Sequence, residues 1–348
     1  MRPGNWRVPA VIAGLGLTAS LLAGCGGAAS GAEVMSITLY SGQHEQTTDA
    51  LVAGFEKTTG ITVNVRSDDE DTLADEIVSE GHRSRADVIY TENSQVLEFL
   101  QDKGLLARVD ASTLAHTPAL YNSPQGDWAG ISARVSVIIY NPALIKASQL
   151  PTSVLQLASP RYRGKLAAAP QETDFQPIVT SVERAYGQAA TVRWLKAVKA
   201  NAGSHLYPDN ETIADEVNRG AVAFGIVNQY YWYRMRAEIG QANTKARIAY
   251  FAASDPGYVV DVSGAAILKS SAHQAAAQQF LAYLVSQQAQ EIIANPAKSI
   301  SFEYPIAAGV TTQAGETPFG QLQPYPITIA ELGTGTAAIS LMRKAGLL

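Results

Sequence analysis

Short apolar runs alternating with amphipathic stretches limit what the first hundred residues of this chain can become. Ile37-Thr38-Leu39-Tyr40 reads as a strand, and residues 48–57 as a helix with Leu51, Val52 and Phe55 on one face. Thr59-Gly60 stops that helix. Ile61-Thr62-Val63-Asn64-Val65 alternates as a second strand, and residues 71–80 form a helical pattern with Leu73, Ile77 and Val78 inward. Ala86-Asp87-Val88-Ile89-Tyr90 is a third strand, followed by Thr91-Glu92-Asn93 and a helix through Leu100. Strands separated by helices cannot be joined by tight hairpins. This spacing therefore predicts βαβ units, a parallel sheet and an α/β class. In the turn after the first strand, Ser41-Gly42-Gln43-His44, Gly42 is expected to supply backbone freedom.

The middle of the chain repeats the theme. Residues 128–132 and 136–142 read as two strands leading out of the first unit, and 165–169 as another. Residues 151–159 predict a short helix; 175–186, 190–200 and 212–219 predict longer ones, the last with Asp209-Asn210 as an N-cap pair. The run 221–227 reads as a buried strand. Where it ends and a helix begins stands Asn228-Gln229-Tyr230-Tyr231-Trp232-Tyr233. Residues 259–268 form a further apolar stretch and 271–294 a long helix with Phe280, Leu281, Leu284 and Val285 buried. Residues 303–306 are turn-rich, and 327–347 weaker helix.

With 348 residues, 47% of them hydrophobic, the chain can fill two ordinary domains. A net charge of -5 gives no electrostatic reason to expect nucleic acid as a partner. Arg2 and Arg7 precede an apolar run at 11–22, which has the length of a signal-peptide core and is short for a membrane span. Leu22-Ala23-Gly24-Cys25 follows, and Cys25 is the single cysteine. It reads as a lipoprotein signal with cleavage before Cys25 and a lipid on its sulfur, then a Gly/Ala/Ser tether. Disulfides and thiolate metal sites are excluded from the folded part.

In open α/β sheets ligands gather at the carboxyl ends of strands. Tyr230 and Tyr231 lie at one such end, His44 and Glu92 at two others. Each has a plain alternative: an aromatic cluster for the tyrosines, a surface histidine for His44, a helix-capping acid for Glu92. The acidic run Asp68-Asp69-Glu70-Asp71 lacks the glycine and spacing of a calcium loop and reads as a solvated turn and helix start.

Four segments together resemble the bacterial periplasmic ferric-ion-binding proteins of ABC importers. They are Tyr40-Ser41-Gly42-Gln43-His44, Asp87-Val88-Ile89-Tyr90-Thr91-Glu92, Trp128-Ala129-Gly130-Ile131 with Tyr140-Asn141, and Asn228-Gln229-Tyr230-Tyr231-Trp232-Tyr233. Order and approximate spacing match over essentially the whole chain after Cys25. The resemblance implies a two-lobed periplasmic-binding-protein fold of type II, with two crossing strands as hinge and the ligand in the cleft between lobes. It implies a signal peptide at 1–24, a lipidated tether at 25–35, a first lobe at 36–134 with a return from 261–311, and a second at 135–260. The helical tail 312–348 is assigned to neither lobe.

By the same resemblance, His44, Glu92, Tyr230 and Tyr231 are the metal ligands. Asn210, Asn93, Arg134 and Thr173 are candidates for holding a synergistic anion such as phosphate, carbonate or citrate. The implied partner is an ABC permease in the cytoplasmic membrane. The protein would be an extracytoplasmic monomer, lipid-anchored through Cys25, without enzymatic activity. These side chains suit ferric iron: a hard trivalent cation favours oxygen donors and would draw the proton from a phenol. Two phenolates and a carboxylate balance three positive charges, neutral His44 adds a fourth donor, and about two octahedral positions remain for an anion. The segment Gln171-Glu172-Thr173-Asp174, where the family offers small polar residues, is unexpectedly acidic here.

Rival readings keep the fold and change the ligand. Trp232, Tyr233 and Tyr40 could box an organic cation such as thiamine or a polyamine, and a phosphonate or other oxyanion is a further alternative. Zinc is poorly served by a single candidate histidine. A secreted hydrolase would need a nucleophile with its base, and the chain has neither Gly-x-Ser-x-Gly nor His-Glu-x-x-His.

Overall fold

The computed structural model describes residues 35–348 except residue 314. The expected signal peptide and Cys25 lie outside the described residues. The chain begins β1 (Ser36–Ser41), α1 (Glu45–Thr59), β2 (Thr62–Ser67), α2 (Glu70–Glu80), β3 (Val88–Thr91) and α3 (Ser94–Asp102). β1 pairs in parallel with both β2 and β3, as the βαβ rhythm requires. α1 ends where Gly60 turns left-handed at φ 73 and donates its N–H to the Glu56 carbonyl. Asp69 caps α2 by accepting from the N–H groups of Asp71 and Thr72. Leu73 and Ile77 are buried, but Val78 is exposed. One residue beyond Ile77, it has rotated off the inward stripe of the helix.

After the short α4 (Ala111–Leu114) comes β4 (Trp128–Tyr140), 13 residues long and buried throughout. The two strands expected at 128–132 and 136–142 are thus one. Its first half pairs antiparallel with β8 (Val260–Ile267), its second half with β6 (Phe224–Asn228) and β7 (Arg247–Ala249). The remaining elements before β8 are β5 (Leu166–Ala167), α5 (Phe175–Tyr186), α6 (Gln188–Ala202), α7 (Asn210–Arg219) and α8 (Gln229–Ile239). The strand order is β2-β1-β3-β8-β4-β6-β5. β4 and β8 therefore carry the chain between a first sheet holding β1–β3 and a second holding β5–β7. The parallel sheet expected at the start is one part of a mixed sheet, because both crossing strands run antiparallel to their neighbours.

Beyond β8, the expected long helix is two, α9 (Gln274–Leu284) and α10 (Gln287–Ile293), with Ser286 capping the second. α11 (Pro296–Ser299) and β9 (Tyr304–Pro305) follow, β9 pairing with β4. In the tail, α12 (Ile329–Leu332) packs on α3 and α5, and α13 (Thr336–Ala345) on α5 and α6. Under the first sheet, Leu51 and Phe55 of α1 meet Phe280 and Leu281 of α9, the two phenyl rings edge-on at 5.0 Å. Each such side chain contributes roughly 1.5–3 kcal/mol by leaving water.

Two glycines are required by space. Gly42 has an ordinary φ, contrary to the freedom expected of it. A Cβ there would stand 2.4 Å from the Glu70 Cβ, so the turn bearing His44 can lie on the start of α2 only because residue 42 has no side chain. At Gly130, beside a register shift in β4, a Cβ would meet the Tyr121 carbonyl oxygen at 2.2 Å. Since that neighbour is backbone, Gly130→Ala should destabilise the fold by about 1–3 kcal/mol. Urea unfolding checks this, and an unchanged midpoint would contradict it.

Candidate metal centre

Three strand ends converge on one cleft. β1 delivers the turn with Gln43 and His44; Gln43 fixes it, accepting from the His44 N–H at 2.8 Å and donating to Ser263 Oγ on β8 at 2.7 Å. β3 delivers Glu92. Its backbone N–H and that of Asn93 both donate to one carboxylate oxygen of Glu70, at 2.8 and 3.0 Å. β6 runs directly into α8, whose first turn holds Tyr230 and Tyr231. Gln229 anchors this junction, accepting from the Val135 N–H at 2.9 Å and donating to the Phe302 carbonyl at 3.1 Å.

The four side chains meet. His44 Nε2 lies 2.7 Å from Glu92 Oε1 but is poorly aligned for a hydrogen bond, so this buried nitrogen has no true partner. The His44 ring stands edge-on to Tyr230 at 5.5 Å and to Tyr231 at 6.0 Å between centroids. The two phenol rings lie 4.2 Å apart. Among the described residues no three His, Cys, Asp or Glu side chains converge to hold a metal ion, so a metal centre here depends on tyrosine oxygen. The adjoining cleft has a volume of about 460 Å³, with His44, Glu92, Glu172, Tyr231 and Arg234 among its lining.

At rest burial disfavours charge throughout the centre. Burial first, then the Asp174 and Glu92 charges, push both tyrosines well above the ordinary phenol value. Burial, then Asp174, likewise raises Glu92 well above the carboxylate range. Burial and, next, the Arg234 charge lower His44 to about 4. Glu172 is pushed up to about 9 by burial and the charges of Asp174 and Glu92, so its carboxyl is protonated at neutral pH. The acidic look of residues 172–174 therefore overstates their charge.

A profile of the bacterial extracellular solute-binding proteins matches residues 84–317. The Fe(3+)-binding periplasmic protein of Serratia marcescens is 37% identical over 332 residues, covering 95% of this chain and 96% of that protein. This chain belongs to the bacterial extracellular solute-binding proteins. The major ferric iron-binding protein of Neisseria meningitidis serogroup B is 31% identical over 89% of this chain and 93% of its own length. Among solved structures, iron-bound HitA from Pseudomonas aeruginosa superposes with a TM-score of 0.85 at 38% identity, over 90% of this chain and 99% of that one. The Trichodesmium IdiA (FutA) complex with iron and citrate ligands gives 0.77 at 30% identity, over 89% of this chain and 99% of that one.

In this solute-binding protein the candidates for an anion are already engaged. Arg134, at 1% exposure, faces Asp174 at 3.4 Å and Asp261 and Glu303 each at 3.9 Å, and donates to the Asn93 amide oxygen. Asn93 donates to Glu70 and to Thr173 Oγ1, both at 2.8 Å. Asn210 is the first residue of α7, with Asp209 as the cap, and its amide donates to Asp174 at 3.0 Å. The same Asp174 oxygen accepts from the Tyr230 hydroxyl at 3.3 Å.

Glu70, expected in a solvated turn, is 3% exposed. Its role, like those of Gln43, Gln229 and Asp174, rests on partners distant in sequence, and no local pattern announces it. The aromatic box does not assemble. Tyr40 points its hydroxyl at Glu76 and Glu80, the Trp232 indole donates to the Ala246 carbonyl, and Tyr233 stacks on Phe302.

Arg134→Leu would leave three buried carboxylates without their cation and should cost about 3–5 kcal/mol of stability. Part should return on acidification. Burial already raises Asp261, and without Arg134 its folded value rises further above the unfolded one. Stability from such a group is present at low pH and lost as pH rises through the folded value. Urea unfolding of the variant at pH 5 and 7 checks both statements; a loss that does not shrink at pH 5 would contradict the second.

Proposed function

We propose that this protein captures ferric iron together with a small anion outside the cytoplasmic membrane and hands it to the permease of an ABC importer. The observation that carries the reading is the meeting of His44 and Glu92, from the first sheet, with Tyr230 and Tyr231, from the second. Serratia, Neisseria and Pseudomonas proteins alike along nearly their whole length are named for ferric iron or solved with iron, which supports it. The Trichodesmium complex with citrate supports an anion in the remaining coordination positions. In this reading the protein binds and releases its cargo and transforms nothing.

The mechanism is capture by closure. The lobes, at 36–134 with 261–311 and at 135–260, each present two ligands and move about β4 and β8. An ion that contacts all four ligands stabilises the closed state through its differential affinity. Trivalent charge reverses the resting electrostatics: both phenols give up their protons, and with the Glu92 carboxylate their three negative charges balance the ion. The described part of the chain would be tethered by a lipid on Cys25, a proposal that rests on the sequence around that residue. Loss of membrane association in Cys25→Ser cells would support the tether; unchanged association would refute it.

Adding ferric iron to the purified protein should produce a visible phenolate-to-iron charge-transfer band. Tyr230→Phe or Tyr231→Phe should weaken the band and lower affinity by more than the roughly 10–100-fold typical of losing an outer-shell partner. A band that survives in the double variant would sink the assignment.

Acid should release the ion. Tyr230 and Tyr231 hold their protons at neutral pH in the iron-free protein, since both are shifted upward from the ordinary phenol value. His44, lowered to about 4, does not compete above that pH. Binding near pH 7 should therefore expel at least about two protons per ion, one from each phenol. Calorimetry in two buffers of different protonation enthalpy reads that number directly, and a value near zero would be inconsistent with phenolate ligation.

A further inference from the structure

The anion of the proposed function needs a positive partner, and the charged side chains along the cleft are mostly acids. Glu45, Asp68, Asp209 and Glu211 line it together with the protonated Glu172, and Arg234 is the one lysine or arginine among its described lining residues. Arg134, the cation that sequence reasoning offered for this task, is committed to buried carboxylates. Arg234 lies three residues after Tyr231 on α8, which places both on the same side of the helix, nearly one turn apart. Its guanidinium is largely buried, with the side chain 14% exposed. Nη2 donates to Gln46 Oε1 across the cleft at 3.2 Å. Nη1 is buried without a hydrogen-bond partner, and Glu211 Oε1, 66% exposed as a side chain, is 3.8 Å away. Arg234 lines the same cleft as His44, Glu92 and Tyr231, and its charge helps to lower His44.

We infer that Arg234 is the residue that positions the anion against the bound ion, its guanidinium fork meeting two of the anion's oxygens. This rests on the ferric reading and adds to it the residue that holds the anion. The fork geometry matters because a guanidinium can meet a carboxylate or a phosphate with two parallel hydrogen bonds. Arg234 touches the anion rather than the metal, and its loss should leave the phenolate–iron bonds in place.

The test compares wild type, Arg234→Gln and Arg234→Lys, each loaded with ferric iron in carbonate-free buffer and then exposed to citrate, bicarbonate or phosphate. In wild type the charge-transfer band should shift with at least one of the three anions, and no shift with any of them would overturn the role of Arg234. Arg234→Gln should keep the band and lose the anion-dependent shift. In citrate it should also surrender iron to a competing chelator roughly ten- to a hundredfold faster, the range expected for losing a hydrogen bond to a charged group. Arg234→Lys, which keeps the charge and loses the fork, should fall between. An undiminished anion response in Arg234→Gln, or loss of the band in both variants, would overturn the role of Arg234 and leave the ferric reading standing. Absence of any band in wild type would instead remove the ferric reading.

Discussion

A single buried guanidinium ties the structure together. Arg134 sits midway along β4, the strand shared by both sheets, and its three acidic partners and Asn93 come from four different parts of the chain. Asp174 precedes α5, Asp261 lies on β8, Glu303 comes from the return segment and Asn93 stands beside Glu92. A charge this deep is tolerable only when its partners are in place. The arrangement thus fixes the relative positions of segments that no apolar contact would align so narrowly. Two of those partners lead straight to the candidate metal centre. Asn93 shares the Glu70 carboxylate with the backbone of Glu92, and Asp174 accepts from the Tyr230 hydroxyl. The hub therefore positions one proposed ligand from each sheet.

The resting centre is a set of groups whose charged forms burial disfavours. Burial holds protons on Tyr230, Tyr231 and Glu172, raises Glu92, and keeps His44 without a proton. Such a site has little attraction for a monovalent or weakly charged cation, because offering anionic oxygen first requires losing protons into a medium that disfavours charge. A small trivalent ion can drive that loss. Selectivity then follows from the cost of deprotonation as well as from the hardness of the donors.

Much of this was legible in the sequence, and what was missed has a common cause. The βαβ rhythm of residues 37–100 depends on local periodicity, so the first sheet could be read directly. The strand-end positions of His44, Glu92, Tyr230 and Tyr231 follow from the same periodicity, and resemblance supplied their pairing. β4 was read as two strands because Ser132, Arg134 and Ser136 interrupt its apolar run, yet all three are buried. Their partners, Glu303 for Ser132, the Arg134 acids, and the Gly257 carbonyl for Ser136, lie far along the chain. Glu70 looked like one acid among four, and only the fold shows that it holds the Glu92 turn. Arg134 was expected to greet an anion because sequence cannot reveal that three carboxylates already surround it.

The central claim is that one ion joins ligands from both sheets. Anomalous diffraction at the iron absorption edge, from crystals of the iron-loaded protein, tests it without reference to colour or affinity. The account predicts a single strong peak within bonding distance of the Tyr230 and Tyr231 phenol oxygens, His44 Nε2 and a Glu92 carboxylate oxygen. A peak at the exposed acids of the cleft rim, or one bound by residues of a single sheet, would contradict it.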